Sequence, residues 1–230
     1  MGDRFEGRYD RNKTSISEDD QLLLATKRVC VIGCGGLGGG VIEGLARLGI
    51  GHLTVVDCDV FDATNLNRQV LSNEKNIGLP KADEAKKQMR EINSLVEVTS
   101  VQARLTSENA KSIIRGHDAV VDALDNIAAR LVLEDACEEE RIPLVHGAIS
   151  GWNGQVAVVM PGRRLLHELY GECGPEDDVK PVEGNPAFTP AVVSAIETAE
   201  TLKLLLGRES VLQKSFLLID LMTQEYDVIS

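Results

Sequence analysis

Short apolar runs alternate with longer segments of helical spacing over the first part of the chain. Five runs have the length and boundaries of buried strands, at residues 28–32, 52–56, 96–101, 119–122 and 143–146. In four intervening segments the apolar positions recur every three or four residues, which predicts helices over residues 37–48, 81–92, 107–115 and 126–140. Strands and helices that alternate with short connections predict an α/β fold, a Rossmann-like doubly wound sheet with mainly parallel strands.

The pattern changes after residue 154. Apolar runs over residues 155–160, 216–221 and 225–229 are predicted to form an antiparallel C-terminal extension of the sheet. A helix is predicted over residues 190–206, with Thr189 as its N-cap and Gly207 at its end. Residues 163–190 are rich in Gly, Pro and charge and predict a long crossover loop, a kind of segment that is usually functional or mobile. We expect a single domain over residues 1–230, with an N-terminal arm over residues 1–27.

Composition limits the class of protein. With 43% hydrophobic but only 3% aromatic residues, the 230 residues allow one well-packed domain whose core is built from Val, Ile, Leu and Ala. No apolar run approaches the ~20 residues that span a bilayer. Residues 1–21 are too polar for a signal peptide, so we expect a soluble cytoplasmic protein that does not bind membranes.

Charge and cysteine content narrow the choice of ligands. The net charge of -12 argues against a nucleic-acid partner, which needs clustered Lys and Arg, but does not exclude a small anion in a locally positive cleft. The five cysteines are scattered and form no C-x-x-C pair, so the sequence suggests neither a disulfide framework nor a structural zinc site.

The first predicted strand runs into a glycine-rich turn, Gly33-Cys34-Gly35-Gly36-Leu37-Gly38, that opens the first helix. Glycines there let the backbone approach phosphate oxygens, and the N-terminus of a helix favours negative charge. Asp57 ends the second strand, where its carboxylate can accept hydrogen bonds from ribose hydroxyls. The pattern predicts an adenine nucleotide but does not separate NAD from ATP, and a glycine turn that serves only helix–sheet packing is the alternative.

Three polar side chains follow the second strand. Asn65, Arg68 and Lys81 are expected to converge beyond its carboxyl end, where ligands bind in such sheets. A nicotinamide site does not need Arg and Lys beyond the first phosphate, whereas an ATP site does if pyrophosphate departs and charge builds on it. The alternative is a solvated Arg on a loop and a solvated Lys at a helix start.

Five motifs in sequence order carry a family resemblance. The glycine turn is followed by Asp57-Cys58-Asp59, Asn65-Leu66-Asn67-Arg68-Gln69, Gly78-Leu79-Pro80-Lys81 and Leu124-Asp125-Asn126. In this order and at this spacing they resemble the motifs of the ThiF/MoeB/HesA family, bacterial relatives of ubiquitin-activating enzymes. Arg8-Tyr9-Asp10-Arg11 resembles the N-terminal Arg-Tyr-x-Arg element of that family. The resemblance covers residues 8–160 and, more loosely, the rest of the chain.

The resemblance implies an ATP-dependent adenylyltransferase. Such an enzyme activates the C-terminal Gly-Gly carboxylate of a small ubiquitin-like sulfur-carrier protein as an acyl-adenylate, for sulfur transfer in thiamine, molybdopterin or other cofactor biosynthesis. By resemblance, Asp57 would hold the ribose, Asn65, Arg68 and Lys81 would contact the phosphates, and Asp125 would bind Mg²⁺. The implied ATP site comprises Gly33, Gly35, Gly36, Leu37, Gly38, Asp57, Asp59, Asn65, Arg68, Lys81, Leu124, Asp125 and Asn126.

The same resemblance implies a role for two residues outside these motifs. In the family, the arginine that matches Arg11 reaches into the ATP site of the partner subunit, so a homodimer is implied; the alternative is a surface charge on a disordered arm. Cys173 lies roughly where some relatives carry a crossover-loop cysteine, which implies a thioester or persulfide adduct; the alternative is an unreactive thiol. Many members bind zinc through two C-x-x-C pairs near this loop, and since this chain lacks them we expect no zinc.

Three rival functions remain open. A tRNA-modifying dehydratase of the same superfamily is suggested by Phe5 and Gly7, but the acidic composition counts against a tRNA substrate. A NAD-dependent oxidoreductase would leave Arg68, Lys81 and Asp125 without a role. A catalytically idle scaffold would bind a nucleotide and a ubiquitin-like partner without reaction.

Overall fold

A computed structural model describes residues 7–171 and 184–230. Within these ranges seven α-helices and eight strands alternate along the chain. They are α1 (Glu18–Leu24), β1 (Arg28–Ile32), α2 (Gly36–Leu48), β2 (His52–Val56), α3 (Lys81–Ile92), β3 (Glu97–Val101), α4 (Ala110–Ile114), β4 (Ala119–Asp122), α5 (Ile127–Glu140), β5 (Leu144–Ser150), β6 (Asn153–Val159), α6 (Leu165–Tyr170), α7 (Phe188–Leu205), β7 (Phe216–Asp220) and β8 (Glu225–Ile229).

The eight strands form one sheet in the order β3-β2-β1-β4-β5-β6-β7-β8. Strands β1 to β5 pair in parallel, and β6, β7 and β8 extend the sheet with antiparallel pairs. This confirms the predicted Rossmann-like sheet with an antiparallel C-terminal extension. The strand order changes direction between β1 and β4, so the carboxyl ends of these two strands form the crevice where ligands bind in open α/β sheets.

Helices cover both faces of the parallel strands. On one face α2, α3 and α7 bury apolar side chains such as Val41, Met89 and Val193, and on the other α4, α5 and α6 pack against the sheet. All five residues of β2 are buried, including the polar His52 and Thr54, which explains why the strand shows no alternation of buried and exposed positions. Among the described helices none is both long and apolar enough to cross a membrane.

The N-terminal arm contains a helix that the apolar pattern did not predict. The Ser17 hydroxyl accepts a hydrogen bond from the backbone N–H of Asp20 at 3.1 Å, and the Asp20 carboxylate accepts one from the N–H of Ser17 at 3.1 Å. This capping box starts α1. The helix has seven residues and buries only Leu24, so its hydrophobic periodicity is too short to stand out.

The loop predicted over residues 163–190 is helical at both of its described ends. Helix α6 lies within it, and the Glu134 carboxylate from α5 accepts hydrogen bonds from the N–H groups of Leu166 and His167 at 2.7 and 3.0 Å. Helix α7 begins at Phe188, so the prediction that Thr189 caps it is wrong. The Thr189 hydroxyl instead donates to the carbonyl oxygen of Gly151 at 2.7 Å. Gly151 lies in the turn between β5 and β6.

The glycine turn between β1 and α2 brings two backbone segments into very close contact. Gly33 has φ +102°, and a Cβ at this residue would lie 2.5 Å from the carbonyl oxygen of Ala123, beyond β4. A Cβ at Gly38 would lie 1.8 Å from the carbonyl oxygen of Gly33. Both positions therefore require glycine, and the turn fixes the N-terminus of α2 at the carboxyl end of β1.

Glu197 of α7 is a buried carboxyl group that packs against β5. A Cβ at Gly147 would lie 2.4 Å from the Glu197 carboxyl carbon, and within the described part of the chain neither carboxyl oxygen has a hydrogen-bond partner. Burial raises the pKa of Glu197 well above its ordinary value, and the nearby Asp122 raises it further, so the group is neutral in the folded protein.

We expect Gly38→Ala to lower the free energy of unfolding by about 3 kcal/mol or more, because the new methyl group overlaps the Gly33 carbonyl. Gly35→Ala is the matched control, since a Cβ there meets nothing nearer than the Gln69 side chain at 3.7 Å. The control should cost less than about 1 kcal/mol in urea unfolding. Equal losses in the two variants would contradict the tight contact at Gly38.

We expect Glu197→Gln to stabilise the protein more at high pH than at low pH. Glu197 ionises normally in the unfolded chain but stays protonated in the folded protein. The free energy of unfolding therefore falls as pH rises above the unfolded pKa, towards the raised folded one. Glutamine removes this loss, so the variant should gain up to about 1.4 kcal/mol per pH unit relative to the wild type. Urea unfolding at about pH 5.5 and about pH 7.5 measures the gain, and a gain that does not change with pH would show that the carboxyl is ionised.

Candidate functional site

Asp57 links the glycine turn to the segment that follows β2. Its Oδ2 accepts a hydrogen bond from the backbone N–H of Cys34 at 2.7 Å, and its Oδ1 accepts one from the N–H of Asp59 at 2.8 Å. The sequence predicted a ribose contact here. Because each carboxylate oxygen can accept more than one hydrogen bond, the two backbone contacts leave acceptor capacity on this partly exposed side chain.

Lys81 is a buried cation beside the same turn. It opens α3, its side chain is 9% exposed, and its Nζ lies 3.5 Å from Oδ2 of Asp59. The Lys81 N–H also donates to the Asp59 carbonyl oxygen at 3.0 Å. Burial raises the pKa of the Cys34 thiol well above its ordinary value, and the positive charge of Lys81 opposes that shift. Asp57, two positions before Asp59, accepts a hydrogen bond from the Cys34 N–H, so one short segment connects Lys81 to the glycine turn.

Arg68 lies over the N-terminus of α2. Its Cγ is 3.9 Å from the position of a Cβ on Gly36, and its Nη1 donates to the carbonyl oxygen of Thr64 at 3.0 Å and to Oδ1 of Asn67 at 2.9 Å. The guanidinium group is partly exposed. A second cation thus stands at the glycine turn, on a different element from Lys81.

Asn65 stabilises the turn that carries Arg68. Its side chain is buried, and its Oδ1 accepts a hydrogen bond from the N–H of Asp62 at 3.1 Å, which closes a single 3₁₀ turn over Ala63–Asn65. The sequence predicted a phosphate contact for this residue. The structure turns its carbonyl oxygen towards its own backbone, so its clearest contribution is to hold the chain before Arg68 in place.

The segment after β4 carries the predicted metal ligand. Asp125 is exposed at the carboxyl edge of the sheet, next to Leu124 and to Ala123, whose carbonyl oxygen contacts the glycine turn. Asn126 caps α5 by accepting a hydrogen bond from the Ala129 N–H at 2.9 Å. An exposed carboxylate oxygen suits Mg²⁺, which typically takes one or two carboxylates together with substrate phosphates.

The space beside Gly35 suits a phosphate group, since a Cβ there would have no close neighbour.

A cluster of possible metal ligands also lies at this edge. A carboxylate oxygen of Asp57, the Sγ of Cys58 and a carboxylate oxygen of Asp59 all lie within 4.8 Å of one another. Burial raises the pKa of the Cys58 thiol, as do its hydrogen bond to Asp59 and the charge of that residue, so the thiol stays protonated and is a poor metal ligand.

Two predicted residues lie outside the five motifs. Arg11 is exposed on a 3₁₀ turn, and the neighbouring Tyr9 hydroxyl accepts a hydrogen bond from Asn93 Nδ2 at 2.8 Å and lies against Gly49, just beyond the end of α2. Helix α2 has 13 residues and is about 20 Å long, so Tyr9, two residues before Arg11, holds the arm at the end of α2 that is remote from the glycine turn. Cys173 lies outside the described residues.

A groove of about 800 Å³ adjoins the site along α2 and α7. It extends from Arg68 and Gly36 at one end to Leu48 at the other. Sequence analysis singled out neither this groove nor the buried polar residues beneath Asp125, among them Asp122 and His146. The only signal for Asp122 and His146 in the sequence is that each is a polar residue within a mainly apolar strand.

Several solved structures share the fold. The ATP complex of the Escherichia coli tRNA N6-threonylcarbamoyladenosine dehydratase TcdA superposes with a TM-score of 0.76 at 26% sequence identity, over 90% of this chain and 97% of that one. Escherichia coli MccB with ATP superposes with a TM-score of 0.80 at 20% identity, over 99% of this chain and 72% of that one. The second similarity, at such low identity, shows the fold alone.

Similarity in sequence is higher to three other proteins. A sulfur carrier protein adenylyltransferase of Thermus thermophilus is 39% identical over 225 residues, 93% of this chain and 82% of that protein. The SAMP-activating enzyme E1 of Haloferax volcanii is 37% identical over 227 residues, 96% of this chain and 84% of that enzyme. The molybdopterin-synthase adenylyltransferase of Escherichia coli is 32% identical, over 98% of this chain and 92% of that enzyme.

The family model of the ThiF family matches residues 9–230. The match includes all five motifs, from the glycine turn to Leu124-Asp125-Asn126, and continues through the antiparallel extension to the last residue. The resemblance that these motifs carry is therefore confirmed. This chain belongs to the ThiF family.

Proposed function

We propose that this protein is an ATP-dependent adenylyltransferase that activates the C-terminal Gly-Gly carboxylate of a small ubiquitin-like sulfur-carrier protein. The proposal rests chiefly on one observation: Arg68 packs over the N-terminus of α2, and Lys81 pairs with Asp59 in the segment whose Asp57 binds the glycine turn. The names of the relatives at 32% to 39% identity support the same reaction. Because the family match spans residues 9–230, we treat the whole chain as one adenylation domain.

In this proposal ATP binds at the carboxyl edge of the sheet. The phosphates lie against the glycine turn, where Gly35 leaves room for them, and the ribose lies near Asp57 and Asp59. The N-terminus of α2 offers backbone N–H groups and a partial positive charge to the phosphates. The related dehydratase has been solved in complex with ATP, which supports ATP as the ligand. The proposed binding residues are those of the five motifs: Gly33, Gly35, Gly36, Leu37, Gly38, Asp57, Asp59, Asn65, Arg68, Lys81, Leu124, Asp125 and Asn126.

The reaction is an in-line displacement at the α-phosphate. A carboxylate oxygen of the carrier forms a bond to the α-phosphorus, the bond from that phosphorus to the bridging oxygen breaks, and the electron pair leaves with pyrophosphate. The carrier carboxylate is already ionised at neutral pH, so no general base is needed. The enzyme therefore acts mainly by alignment and by electrostatic stabilisation.

Arg68 and Lys81 supply that stabilisation. The Arg68 guanidinium group is partly exposed and can turn towards the departing pyrophosphate, while Lys81 is held beside the turn by Asp59. Asp125 would hold Mg²⁺, which supplies further charge neutralisation to the β- and γ-phosphates when bound. The two cations offset the negative charge that builds on the leaving group in the transition state.

A homodimer completes the proposal. Tyr9, two residues before Arg11, lies at the Leu48 end of α2, whereas the glycine turn and Arg68 lie at the Gly36 end, and the groove along α2 and α7 joins the two ends. A two-fold contact along this groove would place opposite ends of α2 side by side. Arg11 of the partner subunit would then approach the ATP site across this contact.

Two other functions are less well supported. The related tRNA-modifying dehydratase is 26% identical, less than the adenylyltransferases, and the net charge of -12 disfavours a tRNA substrate. A NAD-dependent oxidoreductase has no use for two cations beyond the first phosphate.

A covalent role for Cys173 remains a prediction from the family resemblance, because that residue lies outside the described part of the chain.

We expect Arg68→Ala to abolish carrier-dependent exchange of labelled pyrophosphate into ATP, with a loss of at least about 100-fold, because the leaving group loses one of its two cations. Arg115→Ala is the control, since Arg115 pairs with Glu140 on the surface, away from the site. Both variants should keep the wild-type unfolding midpoint. Normal exchange by Arg68→Ala would remove Arg68 from the active site, and binding of ATP without exchange by the wild type would indicate an idle scaffold.

Mixing two inactive variants tests the role of Arg11. Arg11→Ala and Arg68→Ala should each be inactive alone. After random reassembly from equal amounts, half of the dimers are mixed and each carries one intact site, so exchange should recover to about a quarter of the wild-type rate. If the mixture stays inactive although mass spectrometry detects mixed dimers, Arg11 does not act on the partner subunit.

A further inference from the structure

A buried polar network lies under the carboxyl ends of β4 and β5. Asp122 and His146 are at most 1% exposed, and Nδ1 of His146 lies 2.7 Å from Oδ2 of Asp122. Burial lowers the pKa of His146 in spite of the nearby Asp122, so the ring is neutral. Its single proton is then on Nδ1, which donates to Asp122, and Nε2 is left as an acceptor.

Tyr170, the last residue of α6, joins this network to a different element. Its hydroxyl accepts hydrogen bonds from Gln155 Nε2 at 2.6 Å and from Arg130 Nη1 at 3.1 Å. It lies 3.2 Å from His146 Nε2, to which it donates. The hydroxyl thus uses its donor and both acceptor sites, which fixes the position of α6 relative to β5 and α5.

Arg130 connects the network to the segment that carries Asp125. Its Nη2 donates to the carbonyl oxygen of Leu124 at 2.6 Å, while the N–H of Leu124 donates to Oδ1 of Asp122 at 2.9 Å. Both backbone polar groups of Leu124 are therefore held by buried side chains. Leu124 directly precedes Asp125, so these contacts fix the backbone from which the Asp125 carboxylate projects.

We propose that Arg130, held in place by the Tyr170 hydroxyl, is a positioning residue for Asp125. The inference rests on the proposed function, since it assigns Asp125 a bound Mg²⁺. Because Mg²⁺ demands near-ideal octahedral geometry at short distances, a small displacement of its carboxylate ligand weakens binding. Residues that orient a metal ligand through hydrogen bonds commonly affect metal affinity without touching the metal.

The two Nη atoms of Arg130 explain why an arginine occupies this position. One reaches Tyr170 in α6 and the other reaches Leu124 in the segment after β4, so one planar group bridges two elements. A lysine ammonium keeps the charge but lacks the fork of two donors. Arg130→Lys should therefore lose one of the two contacts and with it the link between α6 and Asp125.

Tyr170→Phe is the sharpest test, because it removes only the hydroxyl and keeps the ring. Titration calorimetry with ATP alone, in excess EDTA, and then with ATP in saturating Mg²⁺ gives the gain in ATP affinity that Mg²⁺ provides. We expect Tyr170→Phe to bind ATP in EDTA within about twofold of the wild type, but to lose about five- to tenfold of the gain from Mg²⁺. Tyr226→Phe, the same change at an exposed residue of β8, should leave both affinities unchanged.

Asp125→Ala separates this inference from the proposed function. One outcome overturns only the positioning role: the wild type gains ATP affinity from Mg²⁺, Asp125→Ala loses that gain, and Tyr170→Phe keeps it. The proposed site then stands. If Asp125→Ala keeps the full gain, or the wild type shows none, both are overturned. Arg130→Lys carries the same expectation as Tyr170→Phe and decides the question if the latter does not fold.

Discussion

The close approach of the backbone at Gly33 and Gly38 sets the geometry of the whole carboxyl edge of the sheet. A Cβ at Gly38 would lie 1.8 Å from the Gly33 carbonyl oxygen, so α2 can begin at this point only because no side chain intervenes. The same turn contacts the Ala123 carbonyl oxygen after β4 and the Asp57 carboxylate after β2. Three segments that are far apart in sequence are thereby held together where the strand order reverses.

The electrostatics of this edge contrast with those of the whole molecule. The chain carries a net charge of -12, yet Arg68 lies over the positive end of α2, and Lys81 pairs with Asp59 in the segment that binds the glycine turn. An acidic surface disfavours a long polyanion, while two cations at one cleft still attract a compact one. The charge distribution therefore suits a nucleotide triphosphate better than a nucleic acid. Asp59 stabilises Lys81 in its buried position, where an unpaired ammonium group would be costly.

Much of the fold follows from local patterns. Strands β1, β2 and β4 coincide with the predicted runs because parallel strands that are buried on both faces are mostly apolar along their length. Helix α6 could not be predicted in this way, since its N-terminal N–H groups are satisfied by Glu134, more than 30 positions earlier in the chain. Strand β5 extends to Ser150, beyond the predicted residue 146, because its last residues pair with β6.

The same distinction applies to the site. The five motifs were visible because each places its residues within a few positions of a strand end or a helix start. Asp122, Arg130, His146 and Tyr170 carry no local signature, since His146 meets Asp122, and Tyr170 meets His146 and Arg130, across 24 to 40 positions of sequence. Sequence analysis also assigned Asn65 to the phosphates, and only the structure shows that its carbonyl oxygen closes a turn. Residues of the binding motifs can be predicted from their spacing in the sequence, whereas the residues that position them are identified only by their contacts in the folded protein.

We propose that the carboxyl edge of the sheet binds the whole triphosphate of ATP, and that Arg68 and Lys81 contact its phosphates. A crystal structure of the protein with Mg²⁺ and a non-hydrolysable ATP analogue tests it most directly. We expect the phosphates to lie against residues 33–38, with the side chains of Arg68 and Lys81 within hydrogen-bond distance of phosphate oxygens. A nucleotide bound elsewhere, or both cations directed into solvent away from every phosphate, would contradict the account.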